Sequence, residues 1–438
     1  MYKRVVTGLL LITVILGCSA CRKVGERPSG EEIVTEQVFQ GMCGQDYEIA
    51  YELAVQYPKI LVNRAGYQTN ADKTALFLTD ELSDIYYIKE SETNRIVYQG
   101  TMEPTDYRSS DGTPICFADF SDYCTEGTYR IENGTLGESY SFIIGDALCT
   151  QLLSEMIQDY TTWFKPAKTQ DTVSIITQLS YLLMSYELYS SQYRDGVLDT
   201  YSKNEIPDIL ELIKKYADWF LDLQNGDLTL NERVCSAGFL ANFSQIYNLY
   251  DNSYARKCSI QAESLMKLLT EEELQEADTG ILYYAYVMNY VKTGYAKYRN
   301  PIHTILAERM EQGSTNGNEN YILLGDLAYL TTKRSVQVEY CNTIMNSIME
   351  HAEEASESSR QNALAVCGET QEEILGKVKY IIIANYVLES KEYRTLLENQ
   401  FSFLQGKNNQ SIVYTMEPEA VSSVIYLLLL NEMIQEYK

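Results

Sequence analysis

Residues 139–157 read Ser-Tyr-Ser-Phe-Ile-Ile-Gly-Asp-Ala-Leu-Cys-Thr-Gln-Leu-Leu-Ser-Glu-Met-Ile, and two rhythms meet inside them. Up to Ile144 the run is short, aromatic and β-branched, which suits a strand. After Asp146 the apolar residues Leu152, Leu153, Met156 and Ile157 recur at i, i+1, i+4 and i+5, the spacing of one helix face. The spacing predicts an all-β segment before this point and an all-helical segment after it.

Upstream, strand-like runs lie at 59–62, 74–78, 85–90, 96–100, 115–119, 127–132 and 139–144. Asp111-Gly112, Glu126-Gly127 and Asn133-Gly134 punctuate them as turns. Seven short strands in under ninety residues favour an antiparallel sandwich of immunoglobulin type. Downstream, about twelve amphipathic or apolar segments extend to Lys438, separated by short breaks such as Thr293-Gly294 and Gly313-Ser314. Short breaks make consecutive helices antiparallel neighbours, so the pattern suits a toroid of six hairpins or an open solenoid. No fixed-period repeat supports the solenoid. The expected fold class is therefore multidomain, β then all-α.

The N-terminus reads separately. Lys3 and Arg4 precede an apolar run from Val5 to Gly17, which has the charged and apolar regions of a secretory signal. The run ends in Ile15-Leu16-Gly17-Cys18, which resembles a bacterial lipobox, where cleavage leaves Cys18 as a lipidated N-terminus. The expected organisation is 1–18 signal and lipobox, 19–56 tether, 57–147 sandwich and 148–438 helical domain, in an exported lipoprotein held on the outer face of a bacterial cell membrane. Cys18 accounts for one of ten cysteines and leaves nine, an odd number, so at least one thiol is free or pairs between chains. Cys116 and Cys124 flank a turn region and either bridge or stay as free thiols.

Charge and composition exclude several activities. There are 61 acidic against 35 basic residues, a formal charge of −26, and no Lys/Arg run, which leaves nothing to hold a nucleic acid. His303 and His351 are the only histidines, and neither sits in a ligand-spaced motif, so no metal or other cofactor is expected. Carboxylate chemistry, or binding without chemistry, remains.

Specific phrases then resemble glycoside hydrolase family 9, the cellulases and endoglucanases. Pro58-Lys59-Ile60-Leu61-Val62-Asn63-Arg64-Ala65-Gly66-Tyr67 is similar to the opening of that family's N-terminal immunoglobulin-like module. Tyr186-Glu187-Leu188, Asp195-Gly196, Glu205-Ile206-Pro207-Asp208 and Asp218-Trp219-Phe220 resemble its early helices, and Leu404-Gln405-Gly406-Lys407-Asn408 a later phrase. The resemblance covers about residues 57–436 and implies an (α/α)6 barrel, a polysaccharide or oligosaccharide partner, and inverting hydrolysis. Inverting chemistry needs a general acid and a water-activating base ~6.5 to 9.5 Å apart.

The family's Asp-Ala-Gly-Asp base phrase falls, by the family's spacing back from Glu187, on Phe164-Lys165-Pro166-Ala167, which holds no aspartate. Asp171 is the nearest substitute, at the expected N-cap of the helix beginning near Thr172, where an aspartate serves as a cap whatever else it does. The family's acid corresponds to Glu419 in Pro418-Glu419-Ala420-Val421, with Glu417 as the fallback. No His-x-Arg substrate-binding stretch precedes it. Tyrosine is the remaining lead among 37 such residues: Tyr283, Tyr284 and Tyr286 cluster on one helix, where their rings either stack on sugars or fill the core. The expected function is handling or binding of β-glucan-type polysaccharide around a decayed active site. The alternatives are an active inverting β-glycanase with Glu419 as acid, and a protein-interaction scaffold. The lipobox reading is checked by replacing Cys18 with Ala and following membrane partition: the variant should move to the soluble fraction, and a variant that stays membrane-bound after processing refutes the anchor.

Overall fold

The computed structural model describes residues 37–40, 46–49 and 57–435, apart from 81–84, 110–111, 164–170, 198–202, 223–227, 315 and 418–419. The chain divides into two units, Met1–Tyr57 and Pro58–Lys438. In the first, β1 (Gln37–Gln40) and β2 (Asp46–Ile49) pair antiparallel as a hairpin. Part of the stretch expected to be a plain tether is thus paired strand. Its runs Gln-Val-Phe-Gln and Asp-Tyr-Glu-Ile carry the β-branched and aromatic residues that strands favour. Cys18 lies outside the described residues.

The second unit begins with a two-sheet sandwich. One sheet runs β10 (Gly137–Glu138), β9 (Gly127–Asn133), β5 (Ile85–Glu90), β6 (Ile96–Thr101), with β11 (Phe142–Ile144) also paired to β9. The other runs β3 (Ile60–Leu61), β4 (Thr74–Leu78), β8 (Pro114–Asp119), β7 (Glu103–Arg108). Strand periodicity turns Tyr86, Ile88, Tyr129 and Ile131 inward against Phe77, Phe120 and Phe142. β7 escapes sequence reading because Glu-Pro-Thr-Asp-Tyr-Arg is polar and carries a proline, a composition tolerated at the sheet edge it occupies. No disulfide joins Cys116 to Cys124.

The Asn63–Tyr67 phrase joins the sandwich to the helical domain. Asn63 Oδ1 accepts from Gly66 N at 3.1 Å, and Tyr67 Oη accepts from Asn63 N at 2.9 Å while donating to Thr74 O at 2.8 Å. Gly66 sits at φ +123°, and a Cβ there would come within 2.0 Å of Ile143 O, so no other residue fits. The turn directs Arg64 onto the helices, where its N–H donates to Gln405 O at 2.8 Å and its Nη1 to Ser411 O at 2.9 Å. Lys407 donates back to Thr74 Oγ1, and burial pulls its ammonium down to about 8.

The helical domain is an α/α barrel. Six outer helices, α1 (Leu148–Trp163), α3 (Asp208–Asp222), α5 (Asn252–Lys267), α8 (Ala296–Gln312), α10 (Val338–Gln361) and α12 (Lys391–Leu404), alternate with six inner ones. The inner helices are α2 (Thr172–Leu188), α4 (Leu230–Tyr247), α7 (Thr279–Thr293), α9 (Glu319–Thr331), α11 (Gln371–Leu388) and α13 (Val421–Ile434). A short polar helix, α6 (Glu271–Glu276), precedes α7. Sequence dictates the layering. The inner helix α2 buries residues around its whole circumference, whereas α5 and α10 bury a single stripe.

Burial on all sides forces the inner helices to satisfy their polar groups internally. Asp326 on α9 is 2% exposed and receives Arg309 Nη1 on both oxygens at 2.9 and 2.8 Å, with Tyr283 Oη donating to Oδ1 at 2.9 Å. Glu432 on α13 accepts from Tyr189 Oη and Asn385 Nδ2. Asn431 Nδ2 donates to Tyr193 Oη at 2.8 Å and to Ser185 Oγ at 3.1 Å. Removing one member strands a buried charge. Asp326→Ala should cost roughly 3 to 5 kcal/mol in urea-induced unfolding, and a loss under about 1 kcal/mol would show that the pair is not what holds α8 to α9.

Candidate active site at the N-terminal ends of the inner helices

Asp171 and Glu417 precede α2 and α13, neighbouring inner helices, and therefore stand at one end of the barrel. Asp171 is the N-cap of α2 (φ −67°, ψ 100°), accepting from Val173 N at 3.1 Å and Ser174 N at 3.3 Å. One of its oxygens is thus engaged in ending the helix. Glu417 is exposed and lies in the segment leading to α13. Its backbone is locked to that helix: Ser423 Oγ accepts from Glu417 N at 2.9 Å and donates to Glu417 O at 2.8 Å. Glu419 lies outside the described residues, as does the 164–167 stretch that replaces the base phrase.

What stands between these helices decides the chemistry. α9 lies opposite α2 in the ring, yet the two pack directly on each other. Tyr321 Oη donates to Val173 O at 3.0 Å, so the first turn of α9 reaches the first turn of α2 across the axis. Tyr181 Oη donates to Asn320 Oδ1 at 3.0 Å, and Lys379 Nζ on α11 donates to the same oxygen at 3.0 Å. Burial lowers the Lys379 ammonium, while the neighbouring Glu319 carboxylate opposes that shift. Below this layer the Tyr284 ring meets Tyr321 at 5.1 Å, and its hydroxyl pairs with Ser180 Oγ at 2.8 Å. Gly238 makes room for that ring, since a Cβ there would meet Tyr284 Cε1 at 2.4 Å. Among the described residues, this end of the barrel axis is bridged by side chains of the inner helices.

The tyrosine expectation is corrected here. Tyr283 and Tyr284 are 1% and 0% exposed, so neither ring presents a face to a sugar. They are core residues whose hydroxyls go to Asp326 and Ser180, and burial raises both phenols. Tyr286 is partly buried against the same core. The helical spacing that grouped them is the spacing of the inner face. Among the described residues no group of three or more His, Cys, Asp or Glu stands close enough to hold a metal ion.

One carboxylate escaped the sequence reading, which used Glu187 only as a landmark. It lies in the last turn of α2, at the opposite end of the barrel from Asp171. Solvent reaches it, yet the surrounding protein desolvates it enough to push its carboxyl up to about 7. Only the three-dimensional setting distinguishes it from the other glutamates. Standing at the far end, it cannot pair with Asp171 or Glu417 around one sugar.

Comparison with known proteins agrees with this architecture. Residues 55–138 match the family described as the cellulase N-terminal ig-like domain. A search of curated proteins returns no match. Among solved structures, a metagenome-derived glycoside hydrolase family 9 endoglucanase is 18% identical over 80% of this chain and 84% of its own, with a TM-score of 0.67. A family 9 protein from Bacteroides ovatus is 14% identical, covers 86% of this chain and 98% of its own, and superposes with a TM-score of 0.68. AaCel9A, solved in complex with cellobiose-like isofagomine, is 14% identical over 80% of this chain and 83% of its own, with a TM-score of 0.64. An immunoglobulin-like module before an α/α barrel is the fold of these enzymes. The chain is a family 9-like protein by architecture, and at these identities the likeness is one of fold.

The Glu187 environment gives a pH prediction. A carboxyl whose folded pKa lies above its unfolded value adds stability below the unfolded pKa and loses it as pH rises through the folded one. Glu187→Gln should therefore raise the melting temperature at about pH 8 and leave it unchanged at about pH 4. An equal shift at both pH values would show that the effect is packing and not charge.

Proposed function

We propose that this protein is a surface lipoprotein of family 9 architecture whose catalytic centre has decayed, and which binds or handles β-glucan-type polysaccharide. The observation that carries the loss of catalysis is the contact of α2 with α9 at the end where acid and base would act. An inverting pair needs space for a sugar and a water between its carboxylates. Tyr321, Tyr181, Asn320 and Lys379 occupy the axis there. Asp171 serves as a helix cap, and the four residues in place of the base phrase hold no carboxylate. General base catalysis is worth a factor of ~10² to 10⁴, so its loss leaves little turnover. The polysaccharide reading is supported by the fold, since the neighbours it resembles are endoglucanases, one of them solved with a cellobiose-like ligand. The membrane reading rests on Cys18 and its lipobox context.

The test is a reducing-sugar assay of the protein on cellulose, mixed-linkage glucan and xyloglucan, with Glu419→Ala alongside. No turnover above that variant is expected. Turnover that Glu419→Ala abolishes would overturn the decayed-site reading in favour of an inverting glycanase.

A further inference from the structure

With the barrel mouth filled, a glycan has to be held elsewhere, and the outer wall carries a cavity of about 220 Å³ between α8 and α10. His303 meets Tyr340 at one level, and Arg309 meets Ser347 at the next, so the two helices run parallel and the cavity opens along their seam. Its floor is Arg309, 6% exposed. The guanidinium gives Nη1 to both oxygens of Asp326 and one Nη2 hydrogen to Ser347 Oγ at 3.1 Å. The side chain lines the cavity.

From this geometry we infer that the α8–α10 cavity is a subsite for one neutral sugar unit of a glycan; the inference rests on the glycan-binding reading above. The chemistry of the lining selects the ligand. Asp326 already neutralises Arg309, and Glu350 stands at the rim of a chain with net charge −26, so phosphate and carboxylate ligands are repelled. Asn346 and Ser347 offer an amide and a hydroxyl that can each donate and accept, Thr343, whose hydroxyl donates to Glu339 O, can still accept, and Glu350 accepts. Met310, 48% exposed, supplies the one apolar surface, suited to the C–H face of a pyranose. Alternating donors and acceptors around a small apolar contact fit a polyhydroxylated ring better than an apolar ligand or a cation. The volume is below the ~300 to 1,000 Å³ of pockets that enclose drug-sized molecules, which limits the occupant to about one sugar residue.

The experiment is calorimetric titration of the full chain with cello-, xylo- and manno-oligosaccharides, repeated on Asn346→Ala, Glu350→Gln and, as a remote control, Glu276→Gln. Each cavity variant should bind roughly tenfold more weakly, the weight of one lost hydrogen bond, with an unchanged melting temperature. Glu276→Gln should bind as the natural protein does. If the natural protein binds and the cavity variants match the control, the subsite is overturned while the glycan reading stands. If no oligosaccharide binds the natural protein, both fall.

Discussion

The structure depends on filling the axis of a ring of six helices whose inner surfaces have nowhere else to go. An α/α barrel with an open centre leaves inner-helix side chains facing water. This one closes that centre with tyrosines. Tyr284 on Tyr321, Tyr321 on Val173 O and Tyr181 on Asn320 bring opposite helices into contact. Each ring buries a large apolar area and each hydroxyl finds an acceptor or donor, which makes tyrosine acceptable in a dry interior. The same solution recurs at the other levels, where Tyr283, Tyr189 and Tyr193 bond to Asp326, Glu432 and Asn431. Of the 37 tyrosines, 16 are buried in this helical core.

The place where the axis is filled is what the proposed function turns on. The first turns of α2, α9 and α13 frame the end at which a family 9 enzyme would place its acid and base. A layer made of Tyr321, Asn320, Tyr181 and Lys379 ties α2, α9 and α11 together across this end, and the proposed loss of catalysis rests on that contact. The sandwich is docked on the helices through Arg64, which the Asn63–Gly66 turn presents to Gln405 and Ser411.

Most of the fold was legible in sequence because the signals are local. The switch from period two to period 3.6 near Asp146, the turn pairs in the sandwich, and the run of about twelve helical segments all come from spacing. Several elements were missed for physical reasons: β1 and β2 are short runs in a polar stretch that reads as a tether, β7 is a polar, proline-bearing edge, β10 is two residues long, and α6 is a single polar turn and a half. The site was less legible. That Asp171 caps a helix is a local property and could be read directly. Whether Tyr283 and Tyr284 face in or out, and whether Glu187 is desolvated, depends on which helices meet across the ring, and no linear pattern encodes that.

The central claim is that the barrel mouth is closed to a sugar. Calorimetric titration with cellobiose-like isofagomine, the compound bound in AaCel9A, tests it most directly, because an intact acid and base in an open cleft would hold such a ligand. The account predicts no saturable binding that depends on Glu419. Saturable binding that Glu419→Ala abolishes would contradict it, showing that the N-terminal ends of α2 and α13 part from α9 to admit a substrate.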